Sequence, residues 1–237
     1  MSNPETAPGP RSSRRPLILG LIALLVVVVA GGGYFGYRYY LDSRPGDVNT
    51  PSPIGDMALG PADAPVKIIE YASMTCPHCA AFTKDVFPKL KAAYVDTGKV
   101  RYIFREYPLD EVAFAGAVLA RCIAKGDAPK FFNVIDVLFA AQNQWASNAP
   151  IEPLKGIAKQ FGMNEQEFNA CLDDGKISQG IIDTRDYAFD RLHVNSTPTF
   201  YVNGQQVLGE TPFEDFAKII DPLLAKASGA PQAPPKS

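Results

Sequence analysis

Cys76 and Cys79 stand three positions apart in "YASMTCPHCA", with only Pro77 and His78 between them. Such a pair serves as a metal clip, a structural staple or an exchangeable disulfide. A structural zinc site takes four ligands, usually two such pairs or a pair plus histidines. The other cysteines, Cys122 and Cys171, stand alone, and the only histidines are His78 and His193. His78 lies between the two cysteines and is badly placed to turn onto the same metal, so no metal site is assigned. A staple across so short a loop removes little chain entropy. Redox chemistry fits better.

The reason is physical. A thiolate, not a thiol, attacks a disulfide, and an ordinary thiol with a pKa near 8.5 is only a few per cent ionised at pH 7. Cys76 stands at the expected start of a helix, where free N–H groups and the helix dipole favour an anion. Pro77 opens the first turn without wasting a donor. His78 brings a ring N–H or a positive charge toward the same sulfur. Cys79, one turn further in, is the expected resolving thiol, which attacks a mixed disulfide on Cys76 and releases the substrate. A depressed Cys76 pKa also makes that sulfur a good leaving group, which favours handing the disulfide away.

The surrounding pattern supplies the scaffold. "APVKIIEYAS" (64–73) is a short β-rich apolar run, read as a buried strand. The segment from Cys76 to Gly98 carries apolar residues at 82, 86, 87, 90, 93 and 94, the spacing of a helix, with Pro88 expected to kink it. "KVRYIFREYPL" (99–109) returns to alternation, completing a strand–helix–strand unit. Residues 110–192 read as consecutive amphipathic helices. "TPTFYVNGQQVLGE" is a hairpin turning at Asn203-Gly204, and "PFEDFAKIIDPLLAKA" a last helix. The expected fold is α/β, a mixed sheet interrupted by an all-helical insertion, over residues 57–227 with the insertion at about 110–192. Residues 228–237 read as a loose tail and 41–56 as a polar, proline-rich linker.

The N-terminus reads as a membrane address. Residues 1–16 form a polar tail with Arg11, Arg14 and Arg15 just before an uncharged run from Leu17 to Tyr34. Eighteen helical residues would span about 27 Å, close to the roughly 30 Å hydrocarbon core. Tyr34, Phe35, Tyr37, Tyr39 and Tyr40 follow as an interfacial belt would. Residues 17–40 are thus expected as a single transmembrane anchor in the inner (cytoplasmic) membrane, with the tail cytoplasmic and the catalytic domain periplasmic. The competing reading is a signal peptide, cut after Val28–Ala30, that would release the domain into the periplasm. Both readings place the domain where disulfides persist. In that setting Cys122 and Cys171 are candidates for a structural disulfide closing a loop of about 50 residues. The net charge of −2 argues against nucleic-acid binding, and no glycine-rich phosphate loop follows a strand, so no cofactor is expected.

"IIEYASMTCPHCAAF" together with "NSTPTFYVNG" resembles the DsbA family of exported thiol–disulfide oxidoreductases, and the likeness covers nearly all of residues 55–226. The resemblance implies a thioredoxin-like fold with a helical insertion and a cis-proline at Pro198 facing the active disulfide. It implies that Thr197 leaves its backbone free to pair with an extended substrate strand. It also places Glu70 as a buried acid beneath the site, a candidate proton relay for Cys79. The most oxidising, soluble members commonly carry a valine before the cis-proline, whereas Thr197 is similar to isomerase-like and anchored relatives, so the resemblance does not imply a pure oxidase and the direction of exchange stays open. The implied partners are exported polypeptides with cysteines and a DsbB-like quinone-linked membrane oxidase, or another electron donor. The alternatives are a reductase or isomerase in the same compartment and a non-redox chaperone using the same fold.

Overall fold

The structure, a computed structural model, describes residue 29, residues 31–37 and residues 45–229. Two compact units divide it, 1–45 and 46–237. In the first, residues 31–37 are helical. Among the described residues no helix is long and apolar enough to cross a membrane. The expected transmembrane helix is therefore corrected, and with it the membrane as a partner and the inner-membrane location. The readings placed on residues 17–28, on the 1–16 tail and on 230–237 lie outside the described residues.

The second unit is built on a five-stranded sheet in the order β1-β3-β2-β4-β5. The strands are β1 (Met57–Leu59), β2 (Val66–Ala72), β3 (Val100–Glu106), β4 (Thr199–Val202) and β5 (Gln205–Leu208). β2 and β3 run parallel, as a strand–helix–strand crossover requires, and the other pairs are antiparallel. The hairpin turn at Asn203-Gly204 takes positive φ at both residues (45° and 89°), the geometry that makes asparagine-glycine its preferred sequence.

β2 shows why the pleat matters here. Its alternate residues Val66, Ile68 and Ala72 enter the larger core, whereas Ile69 and Tyr71 enter the smaller core on the other face. Glu70 shares the parity of the first set, so the strand period turns a carboxyl into the larger core.

The crossover is α1 (Pro77–Asp85), then α2 (Phe87–Leu90) and a π-helical turn over Lys91–Val95. The break at Val86 falls two residues before Pro88, which has no N–H to continue the ladder. The insertion comprises α3 (Glu111–Ala124), α4 (Ala128–Ala140), α5 (Gln142–Trp145), α6 (Ile151–Gln160), α7 (Glu165–Leu172) and α8 (Gly175–Leu192). Asp110, Asp127, Asn164 and Asp174 cap α3, α4, α7 and α8 by accepting from backbone N–H groups, so side-chain chemistry fixes these helix starts. The last helix, α9 (Phe213–Ala227), returns Phe216 and Ile220 to the larger core.

Residues 46–56, expected as a tether, are docked. Gly46 N–H donates to the Arg191 carbonyl, Ser52 shares a hydrogen bond with Thr184, and Arg105 grips Asp56 through two nitrogens. Arg105 also donates to the Val48 carbonyl, and Arg121 to that of Gly55. Polar and proline-rich composition reads as loose, yet here the partners waiting on β3, α3 and α8 satisfy the backbone.

Cys122 on α3 and Cys171 on α7 are disulfide-bonded, with Cα atoms 5.8 Å apart and a sequence separation of 49. Loop closure of that length is worth up to roughly 4 kcal/mol. The paired Cys122→Ala, Cys171→Ala variant is expected to lose about 2–4 kcal/mol in urea unfolding. An unchanged midpoint would show that the insertion holds together without the bridge.

Candidate active site

Cys76 is the N-cap residue of α1, with Pro77 in the first turn. Its backbone is extended (φ −74°, ψ 121°), and its carbonyl accepts the first helical bond from Ala80 N–H at 3.2 Å. A helix start leaves its first N–H groups without intrahelical partners. Those of His78 and Cys79 lie near the Cys76 sulfur and favour its anion.

The two thiols are free, buried and very unequal. The Cys76 pKa is lowered to about 5, chiefly because the Cys79 S–H donates to it, against the opposing cost of burial. Thr197 contributes next. Its hydroxyl is buried without a partner beside the thiol, placed to donate once the thiolate forms. Burial pushes the Cys79 thiol well above its usual value, and the Cys76 and Glu70 charges push it the same way. One sulfur is thus an ionised nucleophile at neutral pH, while the other stays a proton-bearing reserve.

The Thr197–Pro198 peptide bond is cis. The Thr197 carbonyl accepts the Cys76 S–H at 3.3 Å, so in the thiol form it is not free for a substrate strand. A thiolate has no proton to donate, and ionisation releases that carbonyl.

Beneath the pair, Glu70 is buried, and the Tyr102 hydroxyl donates to its Oε2. Desolvation raises its pKa to about 8, partly offset by the Tyr102 bond and reinforced by the Cys76 charge. The structure therefore gathers Cys76, Cys79, Thr197, Pro198 and Glu70 at one end of the sheet.

His78 departs from expectation. Its ring Nδ1 lies 3.2 Å from Glu210 Oε2, and its side chain is 69% exposed. What reaches Cys76 from His78 is the backbone N–H. His193 caps the C-terminus of α8 in the left-handed conformation, away from any role in the pair.

Several supports could not be read from the sequence. The Gln142 amide on α5 donates to the carbonyls of Met74 (2.9 Å) and Cys76 (3.1 Å), tying the insertion to the redox turn. Thr75 donates to Asp110 at 2.7 Å, and the Leu109 N–H to Ser73 at 3.3 Å. Gly116 lets α3 approach the buried Trp145, where an added Cβ would stand 2.9 Å from the ring. Only a signal of long-range pairing could have found these, and helix or strand periodicity carries none. Among the described residues no cluster of three or more His, Cys, Asp or Glu could hold a metal.

A low-pKa sulfur at a helix start, a shielded second thiol, a cis-proline opposite and a buried carboxyl below form the arrangement of a thiol–disulfide oxidoreductase. A thioredoxin family model matches residues 52–222. The chain belongs to the thioredoxin superfamily, among its DsbA-like members. The crystal structure of alpha-DsbA1 from Wolbachia pipientis superposes with a TM-score of 0.69 at 34% identity, covering 73% of this chain and 93% of that one. BdbD from Bacillus subtilis shares the fold, with a TM-score of 0.66 at 24% identity over 76% of this chain and 97% of its own. A Rickettsia bellii protein with the provisional name protein-disulfide oxidoreductase is 37% identical over 152 residues, 64% of this chain. The match spans 58% of that relative's length.

Proposed function

We propose that this chain catalyses thiol–disulfide exchange with cysteine-bearing polypeptides in an oxidising compartment, and that it donates disulfides to them. Cys76 is the nucleophile and leaving group, and Cys79 the resolving thiol. Thr197 and Pro198 position the substrate strand, and Glu70 exchanges protons with Cys79. The observation that carries the reading is the opposite displacement of the two thiols, Cys76 down to about 5 and Cys79 well up. An ionised Cys76 stabilises the reduced pair, so the oxidised pair gives its disulfide away. The compartment is supported by the Cys122–Cys171 disulfide, since such bonds persist where thiols are not kept reduced.

A second reading, a reductase or isomerase, has its own support. A sulfur already ionised at neutral pH attacks a substrate disulfide without a base. Thr197 before the cis-proline suits this reading equally. Equilibration with glutathione or thioredoxin over a range of poises separates the two. A potential well above the roughly −180 mV of protein disulfide isomerase supports the donor, and one near the −270 mV of thioredoxin sinks it.

A further inference from the structure

The deepest polar contact under the site joins two strands. Tyr102 on β3 and Glu70 on β2 lie two register positions apart on the same face, since Ile68 pairs with Tyr102 and Glu70 with Phe104. The Tyr102 ring packs against both Phe87 and Phe132, with centroid distances of 4.7 and 6.0 Å. Its hydroxyl donates to Glu70 Oε2, whereas Glu70 Oε1 is buried with no hydrogen-bond partner. A buried carboxyl oxygen left unmatched costs roughly 1–3 kcal/mol, so its persistence calls for a use.

We propose that Tyr102 is the positioning residue of the proton acceptor: its hydroxyl fixes Oε2 and leaves Oε1 as the one oxygen open to the Cys79 proton. This rests on the reading of Glu70 as that acceptor. In the resolving step the Cys79 S–H proton passes to Oε1, leaving a thiolate and a neutral Glu70. The thiolate attacks the Cys76 sulfur of the mixed disulfide, and the Cys76–Cys79 bond forms. The substrate sulfur leaves with the electron pair of the broken bond, so the enzyme is oxidised and the substrate reduced. In the opposite direction the departing Cys79 thiolate takes the same proton back.

Tyr102 does this without titrating, because burial and the Glu70 charge hold its own pKa well above the usual phenol value. It remains a fixed donor. The other ionisable groups facing the pair are Cys76 and Cys79 from α1 and Asp136 from α4. Asp136 shares with Glu70 and Tyr102 a small void also lined by Thr83, and Lys91 offsets its charge.

The test starts from protein carrying a glutathione mixed disulfide on Cys76 and follows glutathione release by stopped flow from pH 6 to 10. In the unmodified protein the rate is expected to climb with a midpoint near 8, as Glu70 ionises. Tyr102→Phe keeps the ring and removes the donor. Its midpoint is expected to move up by about one unit, which means roughly tenfold slower release at pH 7. Glu70→Gln should lose the midpoint altogether. If Tyr102→Phe keeps the parent midpoint while Glu70→Gln loses it, the positioning role is overturned and the acceptor reading stands. If Glu70→Gln keeps the parent profile, the acceptor reading itself falls. Should Tyr102→Phe fold poorly, the unmodified protein answers by NMR. The Tyr102 hydroxyl proton must shift with the same midpoint as the Glu70 carboxyl carbon, and a hydroxyl indifferent to that titration overturns the proposal.

Discussion

Titrated by thiolate absorbance, the reduced protein is expected to ionise one sulfur with a midpoint near pH 5, while the second should remain protonated beyond the ordinary thiol range. Cys76→Ser removes the first transition and abolishes exchange. Cys79→Ser leaves the attack intact and accumulates mixed disulfides. The cause of the low midpoint is chiefly the Cys79 thiol donating to Cys76, supported by the Thr197 hydroxyl and the two N–H groups of the first turn. The direction of the linkage follows from the depressed pKa. Stability contributed by the thiolate to the reduced fold is complete above the unperturbed value of 9.0 and disappears as pH falls through about 5. The oxidised protein has no such group. The gap in stability between reduced and oxidised forms should therefore widen between pH 5 and 9 and stay flat below it.

At pH 7 the displacement favours the reduced pair about 100-fold over an ordinary thiol, close to 60 mV in potential. That displacement corresponds to roughly 3 kcal/mol, which solvent screening of the sulfur trims to about 2 kcal/mol. Paired urea titrations of the two redox states at pH 5 and pH 8 measure it. Equal differences at both would remove the basis for a disulfide donor. A domain that only holds extended chains would keep its activity in Cys76→Ser, so the same variant separates enzyme from holder.

The redox centre was legible because its chemistry is local. Cys76, Pro77 and Cys79 sit within one turn, and a helix start behind a strand needs only short-range pattern to be seen. Glu70 was expected only through the family resemblance, and the structure supplies the physical reason for its burial, since the strand period puts it on the face of Val66 and Ile68. What the sequence concealed are pairings across long separations. Glu210 reaches His78 from 132 positions away, and its exposed carboxyl looks like any surface acid. Gln142 falls at the polar end of a segment read as an amphipathic helix, where nothing local shows that its amide holds two carbonyls of the redox turn. Tyr102 reads as an ordinary strand aromatic, and only the register of β2 with β3 brings its hydroxyl to a carboxyl. The strap at 46–56 failed in the other direction. Its prolines and polar residues suggest a tether, while Tyr187, Thr184 and Arg105 supply partners that no local pattern announces. The apolar N-terminal run misled because hydropathy counts residues and carries no information on the helix they build, and among the described residues no helix is long and apolar enough to cross a membrane.

Glu70→Gln is expected to change stability and chemistry in opposite senses. A carboxyl whose pKa rises from 4.5 to about 8 on folding binds its proton more tightly in the folded state. Between those two values the unfolded chain has released the proton and the folded chain has not, so stability falls as pH rises through the window. Below 4.5 both states are protonated and the effect vanishes. By pH 7 the accumulated cost is roughly 3 kcal/mol. A neutral amide removes that slope, although its NH2 group, buried without a full set of partners, costs about 1–3 kcal/mol of the gain. The slope is therefore the cleaner readout than the absolute gain. Urea midpoints measured from pH 5 to pH 9 should decline in the parent relative to the variant, while release of a Cys76 mixed disulfide slows in the variant at neutral pH. Parallel stability profiles would mean that Glu70 is already ionised in the fold. The proton would then have to leave Cys79 by another route, and the buried carboxyl would serve only to hold Tyr102.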